Sequence, residues 1–405
     1  MCSPTAPNVS DQRKRAPRNA PKAPPPGSQI PPGAPLPRTA SPYNKQVASL
    51  ANPVTDAIAA KVHSGRRITP ADARHLWQHA TDAELRDLAS IVRARFHPAD
   101  RATYMVMRII NYTNVCVAQC DYCAFYKLPG QEGGYVLPQE AVFAKLDELL
   151  SLGGDLAAFN GGFNPHLPLD YYCDLFAAIR HRYGDTLEFY ALTIAEFLYL
   201  ADHAKLSYAE AAARFQAAGV RWITGGGSEI LTENFRRRHS KFKYTVREYF
   251  VAQRAILEAG LNTTATMVIG FDESLDERIE HLERTRVFQD EVASLGGGLQ
   301  SFLCWTFKPY FTQLGGIEIT TQEYLRHLAL SRIYLDNIPR IRTSVLTQNQ
   351  GALEGLRYGA DDFDLPIEDE VTQKAGATIS LDFDRLLDHA RTLGFTPEYR
   401  YVARN

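Results

Sequence analysis

The sequence predicts an α/β protein built on parallel strands. Two observations carry this. From about residue 101, short apolar β-rich runs alternate with longer amphipathic runs. Strand alternating with helix implies parallel strands joined by crossover helices, in a barrel or an open doubly wound sheet. Polar and glycine residues also collect where these strands end, which is where a β/α barrel builds its active-site loops.

The elements follow in chain order. Residues 1–46 hold twelve of the 23 prolines, seven Lys/Arg and one acid, Asp11. Runs such as Ala23-Pro24-Pro25-Pro26-Gly27 cannot form helix interiors or central strands. They bury too little apolar surface to offset ordering, so this stretch is expected to be a disordered basic extension. It has no apolar stretch of the kind a secretory signal carries. Apolar spacing of three and four predicts helices over 54–63, 70–79 and 82–96, within an N-terminal helical segment 47–100. Strands are expected at 104–112, 156–160, 188–193, 221–224, 263–270, 301–307 and 343–347. Helices are expected between them at 139–152, 171–183, 208–218, 246–259, 275–291 and 322–336. These place a β/α core at 101–350, followed by a C-terminal extension, 351–405, that closes it. No short repeat is present, which argues against a solenoid.

Composition narrows the function classes. The chain has 405 residues, with 44 Lys/Arg against 46 Asp/Glu, a net charge of −2. The tail is +6 and the remainder about −8, so the balance gives no support to nucleic-acid or membrane-surface binding. No stretch has the roughly 18 apolar residues of a membrane helix. Six cysteines are too sparse for a disulfide scaffold.

The strand ends carry Asn111, Thr113 and Asn114; Asn160, Gly161 and Gly162; Thr193 and Glu196; Gly225, Gly226, Gly227, Ser228 and Glu229; Thr264 and Thr266; Trp305, Thr306 and Lys308; and Gln348 and Asn349. Seven consecutive ends rich in uncharged hydrogen-bonding groups exceed what solvation of strand ends requires. After the first strand comes Cys116-Val-Ala-Gln-Cys120-Asp-Tyr122-Cys123. Three thiolates on one loop can converge on a metal centre. On a four-iron cluster they leave one iron open to a cofactor or substrate. A structural zinc wants four ligands, commonly as two separated pairs, and neither a second pair nor a nearby histidine is present. The spacing therefore favours iron–sulfur over zinc. Cys173, on a helix, and Cys304, in a strand, read as small core residues.

The Cys116-x3-Cys120-x2-Cys123 spacing, with Tyr122 before the last cysteine, resembles the signature of the radical S-adenosylmethionine superfamily. Ile110-Asn111-Tyr112-Thr113-Asn114-Val115-Cys116, Cys123-Ala124-Phe125-Tyr126, Gly225-Gly226-Gly227-Ser228-Glu229-Ile230, Thr263-Thr264-Ala265-Thr266-Met267, Trp305-Thr306-Phe307, Leu335-Asp336-Asn337-Ile338-Pro339 and Gly394-Phe395-Thr396-Pro397 are similar to its menaquinone futalosine-pathway group, which is related to the F420 cofactor synthases. The resemblance covers roughly residues 55–400 and is nearest to the cyclising synthases of that group.

The resemblance implies a TIM-like radical-SAM barrel carrying a 4Fe-4S cluster and S-adenosyl-L-methionine. Cys116, Cys120 and Cys123 would bind the cluster. Tyr122 would pack near the adenine, and Gly161 and Gly162 would let backbone approach the methionine amino group. Glu196 and Glu229 are either polar contacts to cofactor or substrate, or helix N-terminal carboxylates. The three glycines at 225–227 are either an anion cradle or a tight turn. The implied partners are a small-molecule substrate and an electron donor such as flavodoxin or ferredoxin, with no nucleic acid or membrane. The oxygen-sensitive cluster implies a cytoplasmic location.

The chain departs from the family pattern where substrate should lie. Phe163 and Phe271 stand where the family has histidines, and Lys308 where it has glutamine. The late motif, usually Gly-Ala-Asn-Asp-Leu-Gly-Ser/Thr and then Glu-Glu, runs here from Gly359 through Asp361, Asp362, Phe363, Asp364, Leu365 and Pro366 to Glu370. A phenyl ring neither moves protons nor donates hydrogen bonds. A cation at 308 suits an anionic substrate group. The expectation is retained radical chemistry on a changed nucleoside- or sugar-like substrate, with Glu229 and Lys308 as candidate catalytic residues. That would be a specialised-metabolite paralogue forming a C–C bond. The competing expectations are the menaquinone-pathway reaction itself, or a protein that only holds a metal.

Overall fold

The computed structural model describes residues 52–401. The proline-rich extension and Cys2 lie outside the described residues. Three helices come first: α1 (Pro53–His63), α2 (Pro70–His79) and α3 (Asp82–Arg93). The alternating region then runs β1 (Arg101–Ile110), α4 (Gln139–Ser151), β2 (Leu156–Phe159), α5 (Leu169–Tyr183), β3 (Glu188–Thr193), α6 (Ile194–His203), α7 (Tyr208–Ala217) and β4 (Trp222–Thr224). It continues with α8 (Glu233–His239), α9 (Val246–Glu258), β5 (Thr263–Ile269), α10 (Leu275–Val292), β6 (Leu299–Thr306) and α11 (Thr321–Tyr334). It ends with β7 (Ile341–Thr343), α12 (Val345–Gln348), a 3-10 helix (Asn349–Tyr358), β8 (Asp362–Pro366), α13 (Glu370–Lys374), α14 (Phe383–Thr392) and β9 (Thr396–Tyr399).

The strands lie in the order β4-β3-β2-β1-β8-β7-β6-β5, and every pairing is parallel. The ring closes between β4 and β5 through a short bridge, with Ile223 N–H donating to Asn262 O at 3.1 Å and Asn262 N–H to Arg221 O at 2.8 Å. The fold is thus a TIM-like barrel rather than an open sheet. β9 stands outside the ring, paired to the first half of β1 from Arg101↔Thr396 to Tyr104↔Tyr399.

Alternation along β1 shows how the layers form. Ala102, Val106 and Ile110 join the main core between strands and helices, while Met105, Met107 and Ile109 join Leu156, Tyr190 and Leu346 in a second cluster inside the barrel. Six helices (α2, α3, α6, α7, α9 and α10) start on a capping box, a Ser or Thr whose hydroxyl takes the third residue's N–H while that residue's carboxylate returns the bond. Buried Ile58, Val62, Leu76, Leu85 and Val92 place the N-terminal helices in the same core as the barrel.

Two strand expectations change. The strand expected at 343–347 is only the end of β7. Ser344 accepts the Thr347 N–H and turns the chain into α12. The eighth barrel strand, β8, lies beyond residue 350, so the barrel runs to Pro366. Its inward residues are aspartates rather than apolar side chains, which hid its alternation.

Candidate active site

The loop after β1 carries the cysteines, and its polar residues brace it. Asn114 receives the Tyr135 N–H on Oδ1 at 2.8 Å and donates from Nδ2 to Gly133 O at 2.9 Å. Thr113 Oγ1 donates to Tyr135 O at 2.6 Å, and the Cys116 N–H reaches Lys127 O at 2.9 Å. Asn111 Nδ2 donates to Asn160 O at 2.9 Å, tying the loop to the end of β2. Cys120 is buried, Cys116 and Cys123 are half-buried, and all three are free thiols lining one cavity. Burial pushes the Cys123 thiol up to about 11 and also raises Cys120. Cys304 is buried in the core and Cys173 half-buried on α5, both away from this cavity.

Gly161 and Gly162 sit directly against this loop. A Cβ on Gly161 would come within 2.5 Å of the Tyr112 ring, and one on Gly162 within 2.2 Å of Val115 O and 2.8 Å of Cys116 Cβ. The pair is glycine because the second strand's end packs on the cysteine loop's own backbone. Glu196 fixes this turn. It closes the capping box of α6 with Thr193 and accepts the Gly161 N–H at 2.8 Å and the Tyr112 hydroxyl. Its carboxylate is buried and surrounded by donors, so it acts here on the protein's own backbone. The three glycines at 225–227 are also dictated by close approach. A Cβ on Gly225 would meet Thr264 O at 2.3 Å, and one on Gly227 the Ala195 Cβ at 2.3 Å.

Tyr122 points its hydroxyl at Ser240 Oγ and Lys243 Nζ, each 3.1 Å away. Lys243 also donates to both oxygens of Glu229, at 3.2 and 3.3 Å, with both side chains largely buried. Burial opposes the Lys243 ammonium, but Cys120, Glu229 and Tyr122 outweigh it and hold its pKa well above the usual range. Glu229 is therefore half of an ion pair beside the cysteine loop.

Phe163, Phe271 and Lys308, three of the departures from the family pattern, all line the cavity. Phe163 stacks on Tyr199, centroids 4.8 Å apart, and packs with Ala118, Cys120 and Ala195. Phe271 stacks on Phe307 at 4.5 Å and leans on Tyr122 at 5.3 Å. Lys308 is buried, and its ammonium pairs with Glu318 at 2.5 Å. The cation expected to meet an anionic substrate group already has a carboxylate.

Among the charged cavity residues, Lys243 and Arg342 have no mark in the sequence, and Asp364 and Asp369 show in it only as members of the late motif. Arg342 lies across the barrel interior, with Nη2 3.3 Å from Asp364 Oδ1 and Nε 3.4 Å from Asp362 Oδ2. Burial pushes the Asp364 carboxyl up to about 6, which Arg342 limits. No local spacing marks these residues; the fold collects them from β7, β8 and two loops.

The three cysteines, Tyr122, Gly161, Gly162, Glu196, Glu229, Lys243, Lys308, Arg342, Asp364 and Asp369 line one cavity of about 300 Å³, to which each of the eight barrel strands contributes. No histidine lines it. Among the described residues, no three His, Cys, Asp or Glu side chains are gathered as a single metal ion needs. Three unpaired thiols on one wall, not drawn to one point, suit a cluster in which each thiolate takes its own iron.

Residues 110–285 match the radical SAM superfamily model, and residues 296–404 match the CofH/MqnC C-terminal region. The cyclic dehypoxanthine futalosine synthase of Halalkalibacterium halodurans is 35% identical, over 85% of this chain and 93% of that one. The chain belongs to the radical SAM superfamily. An aminodeoxyfutalosine synthase of Thermus thermophilus is 34% identical, over 79% of this chain and 86% of its own. In three dimensions a methylornithine synthase superposes with a TM-score of 0.65 at 16% identity, covering 85% of this chain and 98% of that one. It shares the fold. As a radical SAM enzyme the protein uses a 4Fe-4S cluster and S-adenosylmethionine.

Proposed function

We propose that this radical SAM enzyme forms a carbon–carbon bond on a nucleoside- or sugar-like small molecule that its futalosine-pathway relatives do not use. One observation carries the proposal. The cavity that holds the three cysteines is walled by hydroxyls, carboxylates, aromatic rings and aliphatic side chains, with residues from all eight strands, and contains no histidine.

Cys116, Cys120 and Cys123 hold the cluster in this reading, and Tyr122 packs against the bound cofactor. Cluster and cofactor, when bound and reduced, supply a 5′-deoxyadenosyl radical that takes a hydrogen atom from carbon. The electron comes from a small protein such as ferredoxin or flavodoxin. The substrate carbon left radical adds to an unsaturated carbon of the same or an attached group. Loss of one proton, with one electron passing to an acceptor such as the cluster in its oxidised state, would then close the shell. With phenyl rings at 163 and 271, that proton leaves to a carboxylate. Glu229, paired to Lys243 beside the cysteine loop, is the carboxylate assigned to take it. The stacked Phe163 and Phe271 exclude water from the reacting carbons.

A second reading is favoured by the 35% identity to a cyclic dehypoxanthine futalosine synthase over most of both chains. There the same site closes the cyclic product of menaquinone biosynthesis. One experiment separates the two. The anaerobically reconstituted protein is reduced with S-adenosylmethionine and dehypoxanthine futalosine, and the products are identified by mass spectrometry. The first reading expects 5′-deoxyadenosine without a cyclised futalosine product. Stoichiometric formation of that product would overturn it and establish the second.

A further inference from the structure

We propose that Arg342, with Asp364 beside it, anchors the substrate by a neutral hydroxyl at the floor of the cysteine cavity. This names the polar group that the inner end of the cavity takes, and it rests on the nucleoside- or sugar-like substrate of the reading above.

Both residues line the cavity from inside the barrel. Arg342 is held loosely by its own protein. Nη2 lies 3.3 Å from Asp364 Oδ1, and 3.6 and 3.9 Å from the sulfurs of Met105 and Met107. Nε lies 3.4 Å from Asp362 Oδ2, an oxygen that Arg400 holds more tightly at 2.7 Å. A guanidinium that fully engages a carboxylate does so through two parallel bonds at about 2.7–2.9 Å. Nε is sealed without a hydrogen bond. Nη1 also donates to nothing among the described residues, but it is not sealed, so its two N–H groups open on the cavity. Asp364 receives Arg342 Nη2 and its own backbone N–H, which leaves its carboxylate with acceptor positions to spare.

The charge of this floor decides what binds. Arg342 and Arg400 face Asp362 and Asp364, two cations against two carboxylates. A ligand carboxylate or phosphate would be repelled by Asp364, and a ligand ammonium by Arg342. A hydroxyl meets neither penalty, because its oxygen accepts from Nη1 while its proton goes to Asp364. Asp364 stands in the place of a glycine in the family's late motif, so the carboxylate that sets this balance is a departure of this chain. The depth also fits. Arg342 touches Met107, three residues before β1 ends and the cysteine loop begins, a rise of about 10 Å. A substrate anchored there turns its far end, with the reacting carbon, toward the cysteines.

The test uses cluster-loaded enzyme saturated with S-adenosylmethionine, and reads dissociation constants by calorimetry. The probes are dehypoxanthine futalosine, adenosine, inosine and uridine, each with its single-deoxy forms. At least one should bind, and removal of one particular hydroxyl should weaken it roughly tenfold to a hundredfold. Arg342→Lys keeps a countercharge for the aspartates but loses the open N–H pair. It should weaken the parent probe to the same extent and erase the deoxy difference. Asp364→Asn removes the negative charge and keeps the shape. It should tighten the analogue bearing a carboxylate in place of that hydroxyl by about tenfold or more, a gain that misfolding cannot produce. S-adenosylmethionine affinity should stay at the wild-type value in both variants. A deoxy difference that persists in Arg342→Lys overturns the proposal and leaves a sugar-like substrate in place. So does the absence of any gain in Asp364→Asn. A carboxylate analogue that binds wild type more tightly than its hydroxyl parent also overturns it, because the floor then takes an anion, and lost S-adenosylmethionine affinity does so by assigning the pair to the cofactor. If dehypoxanthine futalosine alone binds and shows the full pattern, the anchor stands and the menaquinone reading replaces the first. Absence of binding by every probe ends both the proposal and the reading beneath it.

Discussion

At the residue scale the site depends on absent side chains as much as present ones. Gly162 has no room for a methyl group, because Val115 O and Cys116 Cβ occupy its place. Gly162→Ala should push the cysteine loop outward. We expect iron per protein to fall sharply after anaerobic reconstitution, with a stability loss of roughly 1–3 kcal/mol, as for overpacked cores. Iron quantitation and a melting curve check this; full iron occupancy would show that the loop can yield. Glu196 gives the complementary case. It collects the Gly161 and Thr193 N–H groups and the Tyr112 and Thr193 hydroxyls. Glu196→Ala leaves several buried donors unanswered and should cost about 3 kcal/mol or more. A melting shift of less than a degree would mean that water replaces the carboxylate fully.

At the element scale, α8 fastens the cysteine loop to the strand ends. His239 Nδ1 lies 2.9 Å from Asp121 Oδ2 on the cysteine loop, and Nε2 lies 2.7 Å from Asp272 Oδ1 after β5. His239→Phe should leave the barrel folded but loosen the loop. The iron–sulfur absorbance should then bleach several-fold faster under a chelator or air, and an unchanged bleaching rate would remove α8 from this role. The sequence disclosed this level unevenly. Strand 188–193 and most of the long helices could be read because one face of each is continuously apolar. α6 could not, since Thr193 both ends β3 and caps the helix, leaving no loop between them. β8 failed for a different reason. Asp362 and Asp364 face Arg342 and Arg400 where an ordinary strand would place valine, and Pro366 adds a breaker. The site divided the same way. The cysteines were legible because a cluster loop needs fixed local spacing. Lys243 and Arg342 were not, because only tertiary folding makes them neighbours.

At the scale of the whole molecule, the N-terminal helices are fixed to the barrel across a core that contains neutral histidines. Trp77 of α2 packs edge-on to His327 of α11, centroids 6.4 Å apart, and Arg326 donates to Trp77 O and Ala80 O. His327 and His281 are both 0% exposed. Neither nitrogen of His327 has a partner, while His281 Nδ1 takes the Leu231 N–H at 3.0 Å. Burial pushes His281 down to about 3 and His327 well below its ordinary value of 6.5. The sign follows from linkage. Below about pH 6.5 the unfolded chain binds protons that the folded core refuses, so this contribution is complete above that pH and is lost as pH falls. Each histidine adds a slope of about 1.4 kcal/mol per pH unit in that window. Asp364, raised to about 6, slopes the opposite way between roughly pH 4 and 6, so the bare profile mixes signs. A difference measurement isolates the histidine. His327→Leu removes a buried imidazole that makes no hydrogen bond, and should be at least as stable as wild type at pH 7.5. Its denaturation free energy, followed anaerobically from pH 7.5 to 5, should fall less steeply than wild type by about one proton's worth. Parallel profiles would mean that His327 protonates freely in the folded protein, and that the packing of α2 on α11 opens well before the barrel does.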